Sequence, residues 1–165
     1  MARSERARKV AEIGLFAAFY AVLTWLVAPI AYDVFQFRIS EFMKSLTARR
    51  KHLIWAFVIG NALSNIFSPF GIMEYTWMPF MNLIGAALCY YVGGYLMKGS
   101  LLGMVTGGFL YSVTVAFGVA VMLSGFVPVP LYMLFLYVLV PEVVLICFVG
   151  APICYQIAEK MRWYP

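Results

Sequence analysis

A single carboxylate, Glu142, interrupts the apolar run from Leu131 to Val149, with Pro141 directly before it. An ionisable side chain at the centre of a bilayer costs about 2.5–3.5 kcal/mol even on lenient insertion scales, so such residues face a cavity or a partner. Glu142 therefore suits contact with a bound substrate, a structural pairing with Arg38, or a protonated, hydrogen-bonded state. Pro141 lacks an N–H donor and clashes with the preceding turn, which predicts a kink beside the carboxylate.

Further polar residues stand at helical spacing. In Gln36-Phe37-Arg38-Ile39-Ser40-Glu41, Arg38 and Glu41 are three apart, close enough on a helix to pair with each other. Asn61, Ser64, Asn65 and Ser68 share one helical face, and Glu74, Met78 and Asn82 form a stripe at four-residue spacing. Such stripes serve as interhelical glue or line a polar site. Tyr32, Phe35, Phe37, Tyr75 and Trp77 fall near the same ends, as an interfacial aromatic belt with one or two rings left to stack on a ligand.

Other chemistry is missing. There is no G-x-x-x-x-G-K-[ST] loop, so the chain does not hydrolyse ATP by itself. His52, the only histidine, sits beside Arg50 and Lys51 and reads as solvated. Cys89, Cys147 and Cys154 lie in apolar segments at no metal-site spacing and read as small core residues. No nucleophile–histidine–acid set is visible. The chain is read as a non-enzyme without cofactor or metal.

The elements that must position these residues follow from composition. Of 165 residues, 64% are apolar and 12% charged, too few polar groups to cover a soluble domain. A lipid-facing exterior resolves this, since about 20 apolar residues in a helix cross the roughly 30 Å hydrocarbon core. The reading is one transmembrane domain over 1–165. A basic tail, 1–9, precedes helices at about 10–31, 39–48, 53–67, 75–97, 101–123 and 130–157. The second and third are short, and irregular or charged backbone at membrane depth survives only inside protein or around a water-filled cavity. An outward-facing cavity is expected there.

Charge sets the crossing count. With six crossings and both termini inside, eleven of the twelve basic residues are cytoplasmic, the Lys44/Arg49/Arg50/Lys51 group among them, and only Arg38 lies outside. Omitting the short second crossing places Arg49-Arg50-Lys51 outside, against the positive-inside bias. The net charge of +5 is thereby explained by topology, and no nucleic-acid partner is expected. The localisation read is the plasma membrane of a prokaryote, multi-pass.

The run Gln36-Phe37-Arg38-Ile39-Ser40-Glu41, followed by Asn65-Ile66-Phe67-Ser68-Pro69 with Gly71, resembles the QueT family of proposed queuosine-precursor transporters. These are substrate-capture (S) components of energy-coupling factor transporters. The likeness extends to Ile13–Thr24, Ala28-Pro29 and, in the last helix, Glu142. The sequence departs from the family in its basic link, with Lys44 and Ala48–Lys51, and in Phe109-Leu110-Tyr111-Ser112, where the family tends to hold an asparagine.

The resemblance implies a six-helix bundle that binds a small metabolite from outside. It implies as partners, besides membrane lipid, a transmembrane coupling protein and two ATPase subunits, and it assigns docking to an Ala-x-x-x-Ala face, here Ala17 and Ala21. Internal packing is the alternative for that face. A deazaguanine base, whose N1–H and amine match one carboxylate, implies a site of Glu142, Glu41, Arg38, Gln36, Asn61, Asn65, Glu74, Asn82, Trp77 and Phe37, with Glu41 held by Arg38. The substrate stays open among 7-aminomethyl-7-deazaguanine, queuine, a related base or another vitamin-like compound. The competing functions are a stand-alone secondary transporter and a membrane enzyme or assembly factor.

Overall fold

A computed structural model describes residues 2–164, and among them every regular element is helical. The first helix, α1 (Ala2–Leu26), includes the basic tail, where Lys9–Glu5 (2.9 Å) and Arg8–Glu12 (3.3 Å) pair one turn apart. A short α2 (Ala28–Ala31) has Pro29 in its first turn, where the missing N–H costs nothing. A ten-residue 3₁₀ segment follows (Ile39–Ala48), and then α3 (Leu53–Ser64), which tightens into a 3₁₀ turn at Asn65–Phe67. Helix α4 (Ile72–Leu88) continues as a π-helix over Cys89–Leu96. Beyond Gly99 lies α5 (Leu101–Leu123), capped by the Ser100 hydroxyl accepting from Gly103 N–H at 3.1 Å. The last helix runs as α6 (Leu131–Val143), a π-helix (Val144–Gly150) and α7 (Ala151–Lys160).

Three of these helices, Arg3–Leu26, Leu101–Leu123 and Leu131–Lys160, are long and apolar enough to cross a membrane. The bundle is built inside out. Leu26, Ile72 and Phe148 are more than 70% exposed, while the faces between helices carry small residues. Lipid is as apolar as leucine, so close van der Waals contact and internal hydrogen bonds, not the hydrophobic effect, hold such faces together.

The 3₁₀ segment occupies the middle, in contact with α1, α5, α7 and both π-helices. Runs of 3₁₀ helix beyond three or four residues are uncommon. Here the thinner coil is gripped by two glycines. A Cβ on Gly150 would stand 2.1 Å from the Phe42 carbonyl oxygen, and one on Gly94 2.4 Å from that of Ala48. Each glycine lies in a π-helical stretch, where the widened turn brings backbone up to the segment.

Candidate functional site

Two charged clusters fill the interior. The first gathers around Arg38, which is 3% exposed. Its guanidinium pairs with Glu74 and donates to Asn65 Oδ1 (2.9 Å), the Ala31 carbonyl (3.1 Å) and Gln36 Oε1. The Tyr32 ring lies under it at 5.3 Å. Glu74 also accepts from the Ser68 hydroxyl, and the Asn65 amide donates to the Glu74 carbonyl (3.2 Å) and to Asn61 Oδ1 (3.3 Å). Burying two charges costs several kcal/mol each unless further hydrogen bonds complete the pair, and this set supplies them.

The second cluster is built on Lys44, which is fully buried. It pairs with Glu41 one 3₁₀ turn earlier, and Glu41 also accepts from the Tyr20 hydroxyl. The ammonium lies 4.8 Å from the Tyr111 ring centre and 5.7 Å from that of Tyr20. Tyr111 in turn donates to Asn82 Oδ1 at 3.1 Å. Glu142 approaches Glu41 from α6.

Within the two clusters, two buried side-chain atoms have neither a hydrogen-bond nor an ion-pair partner. Arg38 balances Glu74 and Lys44 balances Glu41, which leaves Glu142 as the buried carboxylate without an ion-pair partner among the described residues. Its Oε2 and the amide nitrogen of Gln36 are buried with no hydrogen-bond partner. Arginine only donates, so Gln36 must present its oxygen to Arg38 and leave its nitrogen free. Gln36 is also held at φ 49°, a conformation uncommon for a residue with a side chain. Orphaned buried polar groups and strained backbone are frequent marks of function.

Several expectations change. Arg38 does not pair with Glu41 and does not hold it, because the 3₁₀ segment begins at Ile39 and leaves Arg38 in extended backbone (φ −111°, ψ 106°). Lys44 is not at the basic end with Arg49, Arg50 and Lys51. Its charge is held inside the bundle by Glu41. The short polar segments do not open on a cavity at their charges, since Arg38, Glu41, Glu74 and Glu142 are at most 3% exposed. A groove of about 340 Å³ touches the network at Asn65, beside Ile66, Gly71, Ile72 and Tyr75.

Of the aromatics, Trp77 is half-buried and donates to the Gly118 carbonyl at 3.0 Å, apart from the charges. Phe37 is half-buried as well, beside Gln36 and Arg38 in the chain. Phe35 packs on Tyr137 at 5.1 Å. Ala17 and Ala21 are 2% exposed. Ala17 lies against α3, where a Cβ on Gly60 would come 3.0 Å from its carbonyl oxygen. In this structure that face of α1 packs internally.

Tyr20, Lys44 and Tyr111 are absent from the candidate site residues read from the sequence, where Lys44 figured only in the cytoplasmic basic group. For Tyr20 a signal existed: Ala17, Tyr20, Ala21 and Thr24 form a single buried stripe, and Thr24 is bonded to Ser40 at 2.7 Å. Tyr111 carried one only through the resemblance, since it lies in the region where the family tends to hold an asparagine; a tyrosine in an apolar helix is otherwise commonplace.

The model of a family described as QueT transporter matches residues 10–159. No curated protein and no solved structure matches the chain.

Proposed function

The chain belongs to the QueT transporter family, a membrane protein for a small-molecule substrate, and from that membership and the buried network we propose the S component of an energy-coupling factor importer. On this reading it crosses the plasma membrane six times with both termini inside, and a coupling protein with two ATPase subunits drives it. The substrate is a queuosine precursor, a deazaguanine base, and the chain itself performs no catalysis.

The observation that carries the substrate reading is the pair of orphaned groups. Glu142 Oε2 offers an acceptor with uncompensated negative charge, and the Gln36 amide nitrogen offers a donor. A deazaguanine supplies the complement: adjacent N1–H and amino donors for a carboxylate, and a ring carbonyl for the amide. An aminomethyl substituent adds the cation that balances Glu142 against Glu41 and Lys44. Asn61, Asn65 and Asn82 are already bonded within the protein and would hold the first groups in place. Entry requires the segment around Gln36 to part from the bundle, because the network is closed. Docking, on the same reading, uses the small residues of α1 that are exposed, Ala11, Gly14 and Ala18, in place of Ala17 and Ala21.

Calorimetry of the purified full chain with 7-aminomethyl-7-deazaguanine tests this. Removing one partner of a buried charged pair costs roughly 2–5 kcal/mol, so Glu142→Gln should weaken binding at least about 30-fold. Equal affinity of the native chain and a normally inserted Glu142→Gln variant would reduce Glu142 to a structural residue.

A further inference from the structure

Away from these clusters, a groove of about 490 Å³ runs between α1, α3 and α4. Lys9, Lys51 and His52 stand at one end of it, and Trp55, Leu83, Ala87 and Tyr91 form the remaining wall with Ile54. The cations are only partly answered. Lys9 shares an exposed pair with Glu5, and His52 contacts Glu12. Lys51 has no carboxylate partner among the described residues, and its ammonium rests 5.7 Å from the Tyr90 ring. The adjoining surface adds Arg8, Arg49 and Arg50. Those five lysines and arginines face three carboxylates, Glu5, Glu12 and Glu159. An excess of positive charge therefore lies at the mouth.

The wall points away from that charge. Leu83, Ala87 and Tyr91 are four apart on one line of the helix, so the strip measures about 12 Å at 1.5 Å per residue. Half of a bilayer's hydrocarbon core is about 15 Å. Trp55 and Tyr91 are each more than half exposed, as aromatics are at the level of lipid headgroups. A basic mouth leading into an apolar channel of that depth fits an amphiphile with an anionic head.

We propose that this groove seats an anionic diacyl phospholipid, its phosphate held by Lys9 and Lys51 and one acyl chain laid along Leu83, Ala87 and Trp55. Basic pockets between membrane helices on the cytoplasmic side recognise such headgroups, and each nearby lysine contributes about a factor of five. The lipid would tie α1 to α4 at the basic end without touching the charged clusters inside.

Native mass spectrometry of the full chain, extracted from nanodiscs of equal phosphatidylglycerol and phosphatidylcholine, reads the occupant directly. The native chain should retain phosphatidylglycerol in preference. Lys9→Gln with Lys51→Gln should lower that retention about 30-fold and leave phosphatidylcholine unchanged. Ala87→Trp, which fills the channel, should lower retention with both lysines intact. Millimolar glycerol 3-phosphate should not displace the lipid, and displacement would make this a simple anion site. Equal retention of the two lipids by the native chain, or retention unaltered by both variants, overturns the proposal. So does Trp55→Cys cross-linking to a protein in native membranes, since the groove would then be a protein interface.

Discussion

Arg38 is paired with Glu74, thirty-six residues along the chain, and not with Glu41 three residues on. The contact ties the link between α2 and the 3₁₀ segment to the first turn of α4. Breaking one side leaves a buried charge alone, which costs about 3–5 kcal/mol, whereas replacing both sides is often near neutral. Arg38→Met should therefore lower the unfolding temperature in detergent, and adding Glu74→Met should recover much of the loss. A double variant no more stable than the single one would show that the hydrogen bonds to Gln36, Asn65 and Ala31, not the ion pair, set the cost.

Lys44 gives a second such cycle. Lys44→Met leaves Glu41 and Glu142 facing each other without a cation, and should destabilise the chain by about 3–5 kcal/mol. Glu41→Gln added to it should restore most of that. Thermal melts of Lys44→Met, of Glu41→Gln alone and of the double variant measure the coupling.

Gly150 and Gly14 should respond oppositely to alanine. A Cβ on Gly150 meets the Phe42 carbonyl oxygen at 2.1 Å, while one on Gly14 meets nothing within 4 Å. Overpacking of this kind costs about 1–3 kcal/mol, whereas replacing glycine inside a helix gains about 0.5–1 kcal/mol. Gly150→Ala should lower the melting temperature and Gly14→Ala raise it slightly. A neutral Gly150→Ala would mean that the 3₁₀ segment shifts freely.

Helix α1 separates folding from docking. Ala17→Trp drives a ring into the contact with Gly60 and should prevent folding of the isolated chain. Ala18→Trp lies on the exposed face and should leave the monomer and its ligand affinity intact while abolishing copurification with the coupling protein. Normal assembly and uptake by the Ala18→Trp chain would move docking to another surface.

Topology is checked by cysteine labelling in intact cells. Lys51→Cys, exposed at the basic end, should resist a membrane-impermeant reagent, and Asp33→Cys should react with it. Labelling of Lys51→Cys from outside would invert the proposed orientation.

The residue sequence by itself determined the membrane character, the helical class and the family, because each rests on local quantities: apolar run length, charge placement and motifs within a few residues. It also marked Arg38, Glu41, Glu74, Asn61, Asn65, Asn82 and Glu142 as polar residues needing partners, and all seven are buried. Which partners they take was decided only in three dimensions. The choice of Glu74 for Arg38 depends on α4 returning beside the link. The burial of Lys44, in the same basic stretch as Arg49 to Lys51, depends on Tyr20, Glu41 and Tyr111 converging from α1, the 3₁₀ segment and α5. A charge at membrane depth must be neutralised within a few ångströms, and only the packed bundle determines which side chains come that close.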